Sequence, residues 1–340
     1  MSKTGYSELL RSTIAGRNLT RQQSYWAFGQ IMDGAWSEAQ TAGLLVALAA
    51  KGESVDELTG AAEAMREHVV KIDTGGADVL DTCGTGGTAL PTFNVSTAVA
   101  LVAAGAGVKV AKHGNRTHTR SSGSADVLEE LGVNLDATPE TITHCLGEAG
   151  VCFCFAVRCH PAMKYAVPVR KALGVRTIFN LLGPLTNPAG AKRQLMGVFG
   201  NDLTEPIANV LAALGTVKAM VVHAADGLDE ISTMSPTTIC ELVDGKVTTK
   251  IIKCEDFGIP PTKMEDITVH SAAESAKMIR RLLEGDTGPA RDIVVLNAAA
   301  AIAVADKAAD IAEGVGLAQQ SIDSGSASKA LAKLVEASNA

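Results

Sequence analysis

The chain has 340 residues, 46% of them hydrophobic and 20% charged, with a net charge of −7; this leaves room for one large domain beside a smaller one. The acidic balance argues against nucleic acid as a partner, because a phosphate-backbone footprint is normally basic. No apolar run reaches membrane-spanning length and the start Met1-Ser2-Lys3-Thr4-Gly5 lacks a signal-peptide core, so a cytoplasmic protein with no membrane partner is expected.

The first seventy-odd residues read as all-helical. Thr20 with Gln23, Ser37 with Gln40 and Ser54 with Glu57 each have the spacing of a capping box. Gly16, Gly34 and Gly52 stand where the helices should stop. Tyr25, Trp26, Phe28, Ile31 and Met32 give one helix a broad apolar side, and Val55, Leu58, Ala61, Ala62 and Met65 do the same for another. We therefore expect a small helical domain over 1–72.

From about Val79 short β-branched runs alternate with alanine-rich helical stretches. The expected strands are Val79–Thr82, Val108–Ala111, Val151–Ala156, Met196–Phe199, Ala219–His223 and Ile293–Leu296. Expected helices include Ala98–Ala104, Ala125–Leu131 and Ile207–Leu214. Such alternation predicts an α/β domain over 73–340 with a mostly parallel sheet flanked by helices. Asp244-Gly245, between Ile239–Val243 and Val247–Ile252, signals an antiparallel hairpin. Ser271 with Glu274 caps a late helix, and Asp292–Ala305 and Ile311–Ile322 finish the fold. The stretch His160–Leu195, rich in proline, arginine and glycine, breaks this rhythm. We expect roughly 165–192 to return to the helical domain and line a cleft between the two.

Seven cysteines in a chain of this length do not make a disulfide framework. Cys152, Cys154, Cys159 and His160 invite a zinc reading, but they lack paired C-x₂₋₄-C knuckles. The apolar run Cys152-Phe153-Cys154-Phe155 fits a buried strand better, with cysteine acting as a small hydrophobe.

Three constellations carry chemistry. Gly84-Thr85-Gly86-Gly87 leads through Asn94-Val95-Ser96-Thr97 into a helix. Glycines let backbone N–H groups approach an anion, and a helix start adds unpaired N–H donors, so the pattern suits phosphate. Lys112-His113-Gly114-Asn115-Arg116 follows one strand later, and Lys112, Arg116 and Arg120 could supply charge-assisted hydrogen bonds. Asp226, Asp229 and Glu230 lie just past another strand and suit a hard divalent cation, which Mg²⁺ sites hold through one or two carboxylates plus phosphate oxygens. Arg170, in the returning segment, could hold a carboxylate with two parallel bonds. The chain has no G-x₄-G-K-[ST] loop, no G-x-G-x-x-G dinucleotide fingerprint and no G-x-S-x-G elbow. The site is therefore one of positioning groups and a metal, with no covalent nucleophile or acid–base residue assigned.

At these residues the sequence resembles the anthranilate phosphoribosyltransferases, of the nucleoside phosphorylase/phosphoribosyltransferase fold. Gly123-Ser124-Ala125-Asp126, His160-Pro161-Ala162-Met163-Lys164, Arg176-Thr177-Ile178-Phe179-Asn180 and Gly183–Pro188 extend the likeness over nearly the whole chain. The resemblance implies transfer of the phosphoribosyl group from phosphoribosyl pyrophosphate (PRPP) to anthranilate in tryptophan biosynthesis. It also implies two Mg²⁺ ions and a homodimer joined through the helical parts. It places Gly84, Gly87, Asn94, Ser96, Thr97, Lys112 and Ser124 on PRPP, and extends the substrate-binding set to Thr88, Thr92, His113, Gly114, Arg116, Thr119 and Arg120. Asn115 and Arg170 would face anthranilate. Ser96 and Glu230 would hold one Mg²⁺, and Asp229 and Glu230 the other.

Three departures stand out. Thr88 occupies a position where aspartate is usual, Thr117–Ser121 replaces a segment with paired serines, and Val157 takes the place of a proline. They predict a reshaped second metal site and altered phosphate contacts. The alternatives are a paralogue for another aromatic amine, or a catalytically silent relative that binds nucleic acid. A pyrimidine nucleoside phosphorylase is disfavoured because no Lys-His-Ser-Thr-Gly-Gly type loop is present.

Overall fold

The computed structural model describes residues 5–88, 90–116 and 122–340. Helices Tyr6–Ile14, Arg21–Met32, Glu38–Lys51 and Val55–Glu67 open the chain. The caps at Thr20, Ser37 and Ser54 all form with both reciprocal hydrogen bonds. Each satisfies two otherwise orphaned N–H groups at a helix start, which fixes where the helices begin.

Among the described residues, seven strands form one sheet: β1 (Leu80–Asp81), β2 (Val110–Gly114), β3 (Val151–Phe155), β4 (Arg193–Gly197), β5 (Lys218–Ala224), β6 (Thr237–Val243) and β7 (Lys246–Ile252). Their spatial order is β3-β2-β1-β4-β5-β6-β7. The first five run parallel, and the β6–β7 hairpin is antiparallel. Asp244 and Gly245 both take positive φ, 47° and 77°, as a two-residue hairpin turn of matching twist requires.

Three sequence expectations shift. The stretch Ile293–Leu296 is no strand; it lies inside the helix Pro289–Val304, which is buried from Ile293 to Val304. A short apolar run reads the same in a buried strand and a buried helix, and here the alanines at 298–301 and 303 carry it on inside a helix of 16 residues. β2 also runs further than expected, so Lys112 and His113 stand in the strand itself, while β4 begins three residues earlier than expected.

Alternation along β4 and β5 divides the core. Leu195, Met220 and Val222 join one buried cluster with the helices Val95–Gly105 and Pro289–Val304. Met196, Ala219 and Val221 face the other way, into a second cluster. That cluster contains the N-terminal helices, the helix Thr204–Ala213, and Val169, Ile178, Phe179 and Leu182 of the returning segment. The returning stretch is thus packed against the helical residues while its polar side chains stay at the strand ends. Cys152, Cys154 and Cys159 are buried in the first cluster. No helix of the described residues is long and apolar enough to cross a membrane.

Candidate active site

Because β1, β2, β4 and β5 are parallel, their C-terminal ends open on one edge of the sheet, the usual ligand side of such folds. A cleft of about 390 Å³ lies there. It is lined by Gly84, Gly86 and Gly87 after β1, Lys112–Arg116 at the end of β2, Gly197 and Phe199 after β4, and Asp229 and Glu230 after β5. Arg170, Arg176, Phe179 and Asn180 of the returning segment close the opposite wall.

The glycine loop is held from below. Thr85 N–H donates to Gly197 O at 2.9 Å, and its hydroxyl accepts from Phe199 N–H at 3.1 Å. Gly86 and Gly87 have φ of 61° and 84°, a region that side chains avoid. The helix Val95–Gly105 starts at Asn94, whose amide does not cap it. Asn94 Oδ1 instead accepts from Ser122 and Ser275 hydroxyls at 2.7 and 2.9 Å. In the first turn Val95 N–H donates to Phe93 O at 2.8 Å and Thr97 N–H to Asn94 O at 3.0 Å, so the helix start is closed largely on its own backbone.

Lys112 is buried, and its ammonium donates to Thr82 Oγ1 at 3.3 Å and Ser96 Oγ at 3.2 Å. Burial lowers its pKa, while the nearby Asp81 and Glu230 favour the charged form. His113 also lines the cleft. Its Nδ1–H donates to Gly183 O at 3.1 Å, so its Nε2 accepts from His160 Nε2–H at 3.1 Å. Both rings are then neutral. Burial, with the neighbouring His160, pushes His113 down to about 3, and burial pushes His160 to about 4.

Asp81, Cys83 and His113 bring potential ligand atoms within 4.8 Å of one another. Both His113 nitrogens are already used, and burial holds the Cys83 thiol well above its ordinary pKa, so this trio is a poor metal cradle.

Asp229 and Glu230 are each only 7% exposed and face the cleft. Asn297, itself buried, fixes their loop by accepting from Ile231 N–H and donating to Ile231 O, both at 2.8 Å. Asp226 is different. It accepts from Leu228 N–H at 3.1 Å and from the Ser232 hydroxyl at 2.5 Å, so it shapes the loop and does not line the cleft with Asp229 and Glu230. These two carboxylates and the Ser96 hydroxyl line the same cleft, and oxygen donors of this kind are what a hard divalent cation takes.

Arg170 sits over the Phe179 ring at 5.6 Å and has no carboxylate partner among the described residues. Burial lowers its pKa, the mark of a partly desolvated cation. Arg116, by contrast, is tied to Asp126 and Glu129 at 2.7 and 2.9 Å, which leaves it less free for phosphate. Thr88, Thr92 and Thr97 do not line the cleft. Thr92 pairs with Thr268 across an isolated bridge, and Thr97 is fully buried in the helix start. Thr119 and Arg120 lie outside the described residues, as does the rest of 117–121. Gly84, Gly87, Asn94, Ser96, Lys112, His113, Gly114, Asn115, Arg116, Ser124, Arg170, Asp229 and Glu230 do meet around the one cleft.

Sequence reasoning gave Arg176 no role. Its guanidinium donates to Gly87 O at 2.5 Å and lies 4.2 Å from the Phe199 ring centroid. An arginine in a Gly- and Pro-rich stretch was the available signal.

The cleft thus lies at the C-terminal strand ends of the α/β layer, walled on one side by the segment that packs with the N-terminal helices. The model of the glycosyl transferase family a/b domain matches residues 76–328, and that of the helical bundle domain of the same family matches 7–69. The chain is 52% identical to the anthranilate phosphoribosyltransferase of Thioalkalivibrio sulfidiphilus over 328 residues, covering 96% of this chain and 97% of that one. The Thermoanaerobacter enzyme is 48% identical, with 97% of each chain covered. The crystal structure of the Thermus thermophilus anthranilate phosphoribosyltransferase superposes with a TM-score of 0.93 at 40% identity, covering 98% of this chain and 99% of that one. The Saccharomyces cerevisiae enzyme in complex with PRPP and Mg superposes at 0.90 with 26% identity, covering 99% of each. The chain belongs to the anthranilate phosphoribosyltransferase family.

Proposed function

We propose that this cleft transfers the phosphoribosyl group of PRPP to the amine of anthranilate, giving N-(5-phosphoribosyl)anthranilate and pyrophosphate. One observation carries the reading: a glycine loop, a buried lysine, a buried acidic pair and a desolvated arginine converge on a single opening. The first two suit a diphosphate, the third a divalent cation and the fourth a carboxylate.

In this reading the loop N–H groups and Lys112 take the PRPP diphosphate, with Asn94 and Ser124 beside it. Arg170 and Asn115 orient anthranilate through its carboxylate. Asp229, Glu230 and Ser96 would hold Mg²⁺, as two ions. When bound, that cation neutralises negative charge on the departing pyrophosphate. The protein's own share is alignment of the amine with C1 of the ribose and the fixed positive potential of Lys112 and the helix start. The neutral His113–His160 pair leaves a lone pair on His160 Nδ1 and adds no charge near the acceptor side. The reading also takes 1–72 with roughly 165–192 as the helical unit, 73–340 as the PRPP-binding unit, and a homodimer. In support of the last, Ile14 and Val46 are exposed in a groove with Ala42, Ala47 and Ala50 on the helical side.

The decisive experiment incubates the protein with PRPP, Mg²⁺ and anthranilate and follows loss of anthranilate fluorescence. A PRPP-dependent decay is expected. No decay with PRPP present, or equal decay without it, would overturn the assignment.

A further inference from the structure

Asp81 is a fully buried carboxylate at the end of β1 that takes no part in the proposed chemistry. Its partners come from three separate parts of the chain, two of which line the cleft. Oδ1 accepts from Cys83 N–H at 3.0 Å, where the glycine loop begins, and from His113 N–H at 3.1 Å, beside Lys112. Oδ2 accepts from Asn187 Nδ2 at 2.7 Å, at the end of the returning segment. The Asn187 amide has only one workable orientation. Its Oδ1 accepts from Ala189 N–H and its Nδ2 also donates to Ala111 O, both at 2.8 Å.

Such an arrangement does more than satisfy a buried charge. Apart from Asn187, the donors are backbone groups next to the residues that would meet the diphosphate. Moving Asp81 therefore moves both anion-facing strand ends together. We propose that Asp81 is a positioning residue for PRPP: with Asn187 it locks the start of the glycine loop and the Lys112–His113 strand end into one register. The inference rests on the reading of the cleft as a PRPP site.

The carboxylate faces Lys112 and His113 from β2 and Cys83 from the glycine loop, while the returning segment offers it only the neutral Asn187. Burial raises its pKa to about 6 against these stabilising partners. A protonated Asp81 would set an O–H or a weakened acceptor against one of its donors, so the register loosens below that pH.

The test compares the wild type with Asp81→Asn and Asn187→Ala, measuring kcat, KM for each substrate, melting temperature and the pH profile of kcat/KM for PRPP. Because all proteins use the same PRPP, the ionisation of its own phosphates, near pH 6, cancels in the comparison. In Asp81→Asn an amide N–H must face another donor, and kcat/KM for PRPP should fall about tenfold or more. The acid limb of its profile should lose one proton relative to the wild type. In Asn187→Ala the carboxylate keeps its charge but loses a donor, so the acid limb should move to higher pH.

A kcat/KM for PRPP within about twofold of wild type in Asp81→Asn, or an unmoved acid limb in Asn187→Ala, overturns the proposal. If Asp81→Asn shows no cooperative melting, the Asn187→Ala profile decides alone. A wild type that consumes no PRPP would overturn the reading of the cleft and this inference with it; active wild type with insensitive variants overturns this inference only.

Discussion

Gly197 lies directly against the backbone of Asp229: a Cβ added to Gly197 would fall 1.6 Å from the Asp229 carbonyl oxygen. The end of β4 therefore works as a floor for the acidic loop after β5. No side chain can be accommodated without lifting that loop. Gly197 O also accepts from Thr85 N–H, so the same residue supports the glycine loop.

Gly197→Ala should consequently disturb the acidic loop and the glycine loop together. Because a displacement of an ångström at reacting groups can cost about a hundredfold in rate, we expect kcat to drop by about that factor. Fold stability should suffer less than activity. Steady-state kinetics beside a melting curve checks this. Near-normal kcat would mean that the acidic loop tolerates being lifted.

Glu230→Gln removes one of two buried carboxylates without changing size. If both ions share it, turnover should fall about a hundredfold or more, since charge stabilisation is the main catalytic term available here. The Mg²⁺ concentration for half-maximal rate should rise as well. Retention of full activity at low Mg²⁺ would remove Glu230 from the metal set.

Much of this site could be read from sequence because its signals are local. Capping boxes span four residues, the Asp244-Gly245 turn spans two, and the glycine loop and acidic pair are continuous strings. Three things were not legible in the sequence. The run Ile293–Leu296 has no periodicity of its own, and only its packing within Pro289–Val304 makes it helical. Asp226 resembles Asp229 in sequence, yet its hydrogen bonds to Leu228 and Ser232 assign it to the loop frame. Asp81 and Asn187 meet across 106 positions, and nothing in either neighbourhood announces the other.

Arg170→Ala tests the acceptor side. The guanidinium is partly desolvated and lies over Phe179 with no carboxylate partner among the described residues, so a substrate carboxylate would complete it. Charge-assisted bonds of this kind contribute about 1.5–3 kcal/mol, which predicts a roughly tenfold to hundredfold rise in KM for anthranilate. KM for PRPP should change much less. An equal rise for both substrates would point to collapse of the returning segment.

The histidine pair gives the fold a pH signature. His113 and His160 titrate near 3 and 4 in the folded chain, far below the ordinary value of about 6.5 expected on unfolding. The unfolded chain therefore binds more protons as pH drops below about 6.5, and the contribution of the pair to stability is lost over the range down to about 4. Asp81 acts in the opposite sense. Its pKa near 6 means that the folded chain holds an extra proton between about 4 and 6, which offsets one of the two histidines. The net expectation from these three groups is a loss of about 1.4 kcal/mol per pH unit between pH 6 and 4. His160→Gln retains an N–H at the Nε2 position but cannot be protonated, so it should remove one proton from the slope. Chemical denaturation at pH 4, 5, 6 and 7 reads this directly. Parallel stability curves for His160→Gln and the wild type over that range would show that His160 is not held neutral by the fold.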